Sequence, residues 1–285
     1  MKKLLQFDAP SAFRAAAYDT LMTQEVQNNL MLRFSQTPDA KAAGWFLAII
    51  YDEAGAPSLV AAMTPPFNMV LFAVGSVIDT QALFALAAHL KAHAWAVPGV
   101  LAETKLAYAF ADAMGVAYEK ADDELIMQCD AVRPVKPAAG GLRHATRQDL
   151  YFLPYWLAAF GVDCRLSEAE CSLARQIEGL QNMDEASLRH IYLWQDEGVP
   201  VAMARIGRST ENGAGITHVY TPPMYRNRGY AQALVAQASQ IGLNSGKRFC
   251  FLFADANNPV SCGIYWKMGY RAVCSYTKLW FLTDR

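Results

Sequence analysis

From residue 142 onward the apolar positions alternate between strand and helix spacing. "LRHA" (142–145) is a short strand. Thr146 followed by Asp149 is a cap signal, and Leu150, Leu153, Trp156, Leu157 and Phe160 then recur on one helical face. Ser167 followed by Glu170 is a capping box that opens a second helix to about Gln181. "RHIYLWQ" and "PVAMARIG" read as strands joined by the hairpin signal "DEGV", and "AGITHVYT" is a third strand. A helix follows, with small or apolar residues at 231, 234, 235, 238, 241 and 242. "RFCFLFAD" (248–255) is apolar nearly throughout, as a central strand buried on both faces should be. A short helix begins at Pro259, and a last strand lies within 270–282. In the first half the pattern predicts helices at about 10–34, 80–96 and 104–114, with strands near 45–51, 58–63 and 69–74. Strands and helices interleaved in this way predict a mixed α/β (α+β) layer fold.

"VRPVKPAAGG" (132–141), with two prolines and two glycines between apolar segments, is the best domain boundary. It divides the chain into 1–131, a linker at 132–141, and 142–285. "TPP" occurs at both 64–66 and 221–223, and Met-Gly recurs in "DAMGVAY" and "YWKMGYR". These matches suggest a duplicated fold whose first copy lost its loop chemistry.

Composition narrows the classes of function. Apolar residues make up 53% of the 285, enough for sizeable cores. The net charge of −1 offers no basic field for bulk nucleic-acid binding. The apolar run after Lys2 and Lys3 is too short for a signal peptide, and prolines interrupt the longest uncharged stretch, 54–78. A cytoplasmic protein with no membrane partner is the expectation. The six cysteines form no CxxC pair and read as free, mostly buried thiols. His89 and His93 have a zinc-like i, i+4 spacing, but no third ligand stands out, so no metal is expected.

The chemistry concentrates in "HVYTPPMYRNRGYAQAL" (218–234). A strand meets two prolines, then two arginines and a glycine, and becomes a helix. A helix N-terminus presents unpaired N–H groups and a partial positive charge, a natural seat for phosphate. Gly229 lets backbone approach the ligand, Ala231 keeps the first turn small, and Arg226 and Arg228 add charge. In the next strand–helix unit, Asn258 with Pro259 is a strong helix start, and Asn258, Ser261 and Tyr265 fall on one stripe.

These two stretches, in this order, resemble the GNAT superfamily of acyl-CoA N-acyltransferases. Arg226, Gly229 and Ala231 match its R/Q-x-x-G-x-G/A pyrophosphate loop. Asn258 and Tyr265 match its asparagine near the pantetheine arm and its tyrosine near the thioester sulfur. The resemblance covers roughly 142–282 and extends only weakly to the first half, as a degenerate GNAT-like domain. It implies two GNAT-like domains, each a mixed, mostly antiparallel sheet flanked by helices.

The function it implies is transfer of an acetyl group from acetyl-CoA to a primary amine of a small molecule or peptide, by direct attack. Tyr265 would be the general acid. Acetyl-CoA would be held by Val219, Tyr220 and Thr221 on the splayed strand, by Arg226, Asn227, Arg228, Gly229, Tyr230 and Ala231 in the loop, and by Asn258. The general base stays open between His218, Asp255 and a water relay, as does monomer or homodimer. Two rival readings are an acyl-CoA sensor without catalysis and an aminoacyl-tRNA-dependent transferase. Retention of Tyr265 argues against the first. The intact loop and near-neutral charge argue against the second.

Overall fold

Successive side chains of a strand point to opposite faces, so a strand apolar throughout needs cover on both sides. Both halves of the chain provide that cover. The structure is a computed structural model describing residues 2–282, without the side chains of 169 and 170. The Glu170 half of the expected capping box therefore lies outside the described residues. Chain contacts define two units: one runs through Ile126 and includes the chain from Val273, and the other is Met127–Ala272. Residues 132–141 fall inside the second unit, and the last strand is counted with the first.

The first unit contains β1 (Lys3–Phe7), α1 (Pro10–Met22), α2 (Asn29–Phe34), β2 (Phe46–Tyr51), β3 (Pro57–Met63) and β4 (Met69–Ala73). It continues with α3 (Thr80–Ala92), β5 (Gly99–Glu103), α4 (Thr104–Met114) and β6 (Ala117–Cys129). Neighbouring strands are antiparallel from β1 to β4, and β4 and β5 are parallel. Phe46, Ala48 and Ile50 pack with α3 and α4, while Leu47 and Ile49 pack with α1 on the other face.

The later elements are β7 (Gly141–His144), α5 (Leu153–Asp163), α6 (Glu168–Cys171), α7 (Leu173–Gln181), α8 (Glu185–Leu188), β8 (Ile191–Asp196) and β9 (Val199–Ile206). After them come β10 (Gly213–Tyr220), α9 (Tyr230–Asn244), β11 (Phe249–Asp255), α10 (Pro259–Lys267) and β12 (Arg271–Leu282). In the second unit β7 to β10 are antiparallel neighbours, and β10 and β11 are parallel. Ile191, Leu193 and Met203 form a core with α5, while Tyr192, Trp194 and Ala202 pack against α9. β8 and β9 turn through Glu197 and Gly198, both at positive φ, the geometry a two-residue hairpin requires. Each unit is thus a mixed, mostly antiparallel sheet flanked by helices.

The order strand, helices, three strands, helix, strand, helix, strand occurs twice, so the fold is duplicated. The two Met-Gly pairs occupy equivalent places, each closing the helix before a last strand. The two "TPP" matches do not: the first follows β3 and the second follows β10, whose counterpart is β4.

Local chemistry explains where elements differ from expectation. The helix expected at 10–34 breaks after Met22, where the Asn28 amide donates to the Leu21 carbonyl at 2.9 Å. The second helix of the C-terminal half breaks at Ser172, whose hydroxyl caps α7 through the Arg175 N–H. Thr146 and Asp149 do form a capping box, but on a 3-10 turn ahead of α5. The Asp149 carboxylate, 4% exposed, accepts from both terminal nitrogens of Arg143 and from the Thr146 N–H. Burial alone would raise its pKa; these hydrogen bonds and the Arg143 charge outweigh burial and lower it.

Candidate active site

β10 and β11 pair only from Gly213 to Gly215, opposite Phe249 to Phe251. Beyond that β10 continues to Tyr220 and β11 to Asp255, so their carboxyl ends part. In open α/β sheets a crevice at the carboxyl ends of parallel strands is where ligands bind. On its other side β10 pairs with β9 through a bulge between Thr217 and Tyr220, with His218 at φ 52°. The bulge re-aims His218 and Val219 and releases the backbone there from a regular ladder.

The sequence 221–229 makes a tight path from this strand to α9. Pro222 and Pro223 end the ladder, and Tyr225 and Arg226 donate back to the carbonyls of Pro222 and Pro223 in a 3-10 turn. Asn227 and Gly229 both take positive φ, 64° and 82°. Gly229 is the helix cap residue, and no side chain caps the helix. The first intrahelical bond recorded at this end is Ala233 N–H to Gly229 C=O, at 3.0 Å. The N–H groups of Tyr230, Ala231 and Gln232 precede it and belong to the orphan turn of the helix. The Thr221 hydroxyl is buried with no hydrogen-bond partner among the described residues. An uncapped helix start and an orphaned hydroxyl at its entrance fit a ligand rich in acceptor oxygens.

The arginines are placed differently from each other. Arg226 donates to the Thr221 carbonyl at 2.9 Å and to the Asp163 carboxylate at 2.6 Å, so its guanidinium is tied to the end of α5. Arg228 is exposed and hydrogen-bonds the Tyr230 hydroxyl, which itself donates to Asp196. Tyr220 is 9% exposed and its ring lies 6.0 Å from Trp156 of α5.

α10 begins as its sequence signals. Asn258 is the cap, its side-chain oxygen accepting the Ser261 N–H at 3.0 Å, with Pro259 in the first turn. Tyr265 is 8% exposed, and its ring lies 5.9 Å from Tyr270. Burial pushes its pKa up to about 12, opposed by a hydrogen bond with Ser261 and reinforced by the nearby Cys164 and Cys262 thiols. Cys164, just past α5, thus lies by the phenol, and Asp163 before it holds Arg226. No spacing rule on one element reveals that the end of α5 borders both turns.

Of the two base candidates, His218 is poorly suited to take a proton. Burial, reinforced by Arg205 and Arg208, lowers the His218 pKa to about 3, and its Nδ1 lies 3.0 Å from the Thr217 hydroxyl. The exposed Asp255 carboxylate accepts the Asn257 N–H at 2.7 Å and turns back on its own loop.

The first unit closes the equivalent seat. The turn from β4 into α3 ends in Asp79, whose carboxylate caps the helix through the Ala82 N–H at 3.1 Å and pairs with Lys2. Burial raises that carboxyl, and Lys2 and the Ala82 N–H lower it further, so it stays ionised. Aligning the two Met-Gly pairs puts Ala111, fully buried, opposite Tyr265. Where the second unit has an open helix start and a phenol, the first has an anion and a methyl group. Among the described residues no group of three or more His, Cys, Asp or Glu could hold a metal ion. Nor is any described helix long and apolar enough to cross a membrane.

Residues 156–270 match the family model described as the acetyltransferase (GNAT) family. No curated protein sequence matches the chain. Among solved structures, a GNAT-family acetyltransferase from Colwellia psychrerythraea is 10% identical, with a TM-score of 0.66 over 99% of this chain and 100% of its own. A GCN5-related N-acetyltransferase from Sphaerobacter thermophilus is 15% identical, with a TM-score of 0.63 over 99% and 96%. A tandem GNAT protein from the clavulanic acid biosynthesis pathway is 13% identical, with a TM-score of 0.57 over the full length of both chains. These likenesses extend over both halves of the chain.

Proposed function

We propose, from the match of residues 156–270 to the acetyltransferase (GNAT) family model, that the chain is an N-acetyltransferase moving an acetyl group from acetyl-CoA to a primary amine by direct attack. The observation that carries this reading is the uncapped start of α9 at Gly229, placed where β10 and β11 part. Bound there, acetyl-CoA would supply the activated thioester. The backbone amides of Gly229, Tyr230 and Ala231, flanked by Asn227 and Arg228, take the diphosphate oxygens, and the Thr221 hydroxyl gains the partner it lacks. The bulged backbone of Val219 to Thr221 holds the pantetheine amides and polarises the acyl carbonyl. Asn258 spends its side-chain oxygen on the helix cap and offers its amide nitrogen to the arm. Tyr265 keeps its proton at physiological pH and donates it towards the leaving thiolate.

The amine must lose a proton. His218 is a weak acceptor and the Asp255 carboxylate is engaged in its own turn, which favours transfer to water over either side chain. No metal takes part in this scheme. The cell compartment expected is the cytoplasm.

Titration calorimetry with acetyl-CoA, followed by thiol release over a panel of amines, tests the whole reading. Binding and amine-dependent release are expected; absence of binding would end it. A finer prediction concerns Arg226. The Asp163 pair is about half exposed on both sides, so a diphosphate can compete for the guanidinium. Asp163→Asn is expected to tighten acetyl-CoA binding by about two- to fivefold, read by the same calorimetry. Weaker binding would mean that the pair shapes the loop instead.

A further inference from the structure

A cavity of about 60 Å³ lies in the second unit between α5, α7 and the sheet. Leu157, Leu180 and Met203 supply apolar wall, and its polar members are Gln176, Arg205 and His218. His218 directly precedes Val219, so the cavity meets β10 at the bulge. α5, which contributes Leu157, ends at Asp163, next to the Cys164 that neighbours Tyr265. Through His218 the cavity reaches β10 one residue before the backbone assigned above to the acyl carbonyl.

We propose that the acceptor is a primary amine bearing a short apolar group that seats in this cavity, and that polycationic amines are selected against. This rests on the acetyl-transfer reading and adds the substrate class. Three features carry it. The wall is dominated by aliphatic side chains and methionines, whose gain on binding comes from apolar area removed from water. The size matters too: a cavity of about 150 Å³ accepts benzene, so this one suits roughly two to four carbons. The third is charge. A second ammonium entering the aliphatic wall would lose its hydration, and among the described residues lining the cavity there is no carboxylate to receive it. His218, held neutral by burial and by Arg205 and Arg208, adds no anion.

The test is a panel of primary amines of increasing alkyl length, with spermidine and a lysine peptide as polycations, measured by thiol release. The value of kcat/KM should rise about fourfold per methylene while the cavity fills, then level off. It should exceed that of spermidine by about tenfold or more. Gly179→Leu adds a side chain at the cavity mouth, where a Cβ meets nothing within 4 Å, and leucine is a better helix former than glycine. It should cut kcat/KM for the best alkylamine about tenfold and leave the acetyl-CoA Kd unchanged. Leu157→Ala should move the optimum to a longer chain. A flat dependence on chain length, or preference for the polycations, overturns the proposal while acetyl-CoA binding stands. Loss of acetyl-CoA binding in the unmodified protein overturns the parent reading instead.

Discussion

Tyr265→Phe is expected to lower kcat about a hundredfold, with the acetyl-CoA Kd changed by less than about twofold. Phenylalanine keeps the ring that packs near Tyr270, so the core around α10 is retained. What disappears is one O–H. The magnitude follows from proton affinities. A CoA thiol should behave like a cysteine, near 8.5, while burial holds the phenol at about 12. Full transfer from phenol to thiolate is thus uphill, and the hydroxyl contributes mainly by a hydrogen bond to sulfur as charge develops there. That places the effect at the low end of the two to four decades usual for a general acid. The pH dependence has a definite sign. A phenol with a raised pKa is protonated throughout the range below that value, so Tyr265 should cause no alkaline fall in kcat between pH 7 and roughly 10. Steady-state rates and calorimetry on both proteins check this. A parallel loss of affinity and rate would assign Tyr265 to packing.

Gly229→Asp should weaken acetyl-CoA by about a hundredfold or more, the larger part from charge. Around Gly229 a Cβ meets only the Ala138 Cβ, at 3.9 Å, so crowding is not the cause. The backbone, at φ 82°, costs any side chain about 1–2 kcal/mol, least for aspartate and asparagine. An aspartate would then place an anion at the amides meant for the diphosphate, as Asp79 does in the first unit. Each charge-assisted hydrogen bond lost is worth about 1.5–3 kcal/mol. Gly229→Asn is the control: the same shape and backbone cost without the charge, with an expected loss well under about tenfold. Equal losses for the two variants would make the role of Gly229 steric.

Much of the second unit was legible because its signals are local. "DEGV" between two apolar runs has one compact solution, and Asn258-Pro259 starts a helix wherever it is put. The strands missed in the first half failed for identifiable reasons. β6 carries "EKADDE" on its exposed and half-buried part, so no alternation shows. β5 runs straight into α4 with Glu103 serving both as strand end and helix cap, and β1 is only partly buried on its sheet edge. The loop seat was readable because glycine and proline fix backbone geometry through their own covalent structure. The tie between Arg226 and Asp163 was not, since it joins residues 63 apart. The His218 bulge was not either, because an irregular register is decided by the neighbouring strand.

One consequence bears on how the chain is made. β12 runs antiparallel to β5, with Tyr276 opposite Glu103, and its Thr277 hydroxyl donates to Asp123. Contacts spanning 173 residues therefore complete the unit that is synthesised first. The ribosome delivers that strand only after the second unit, so β5 must wait with an open side until then. Gene fragments ending at the proline-rich stretch should yield aggregating product, and expression of either half calls for a version carrying residues 271–282 where the first unit needs them.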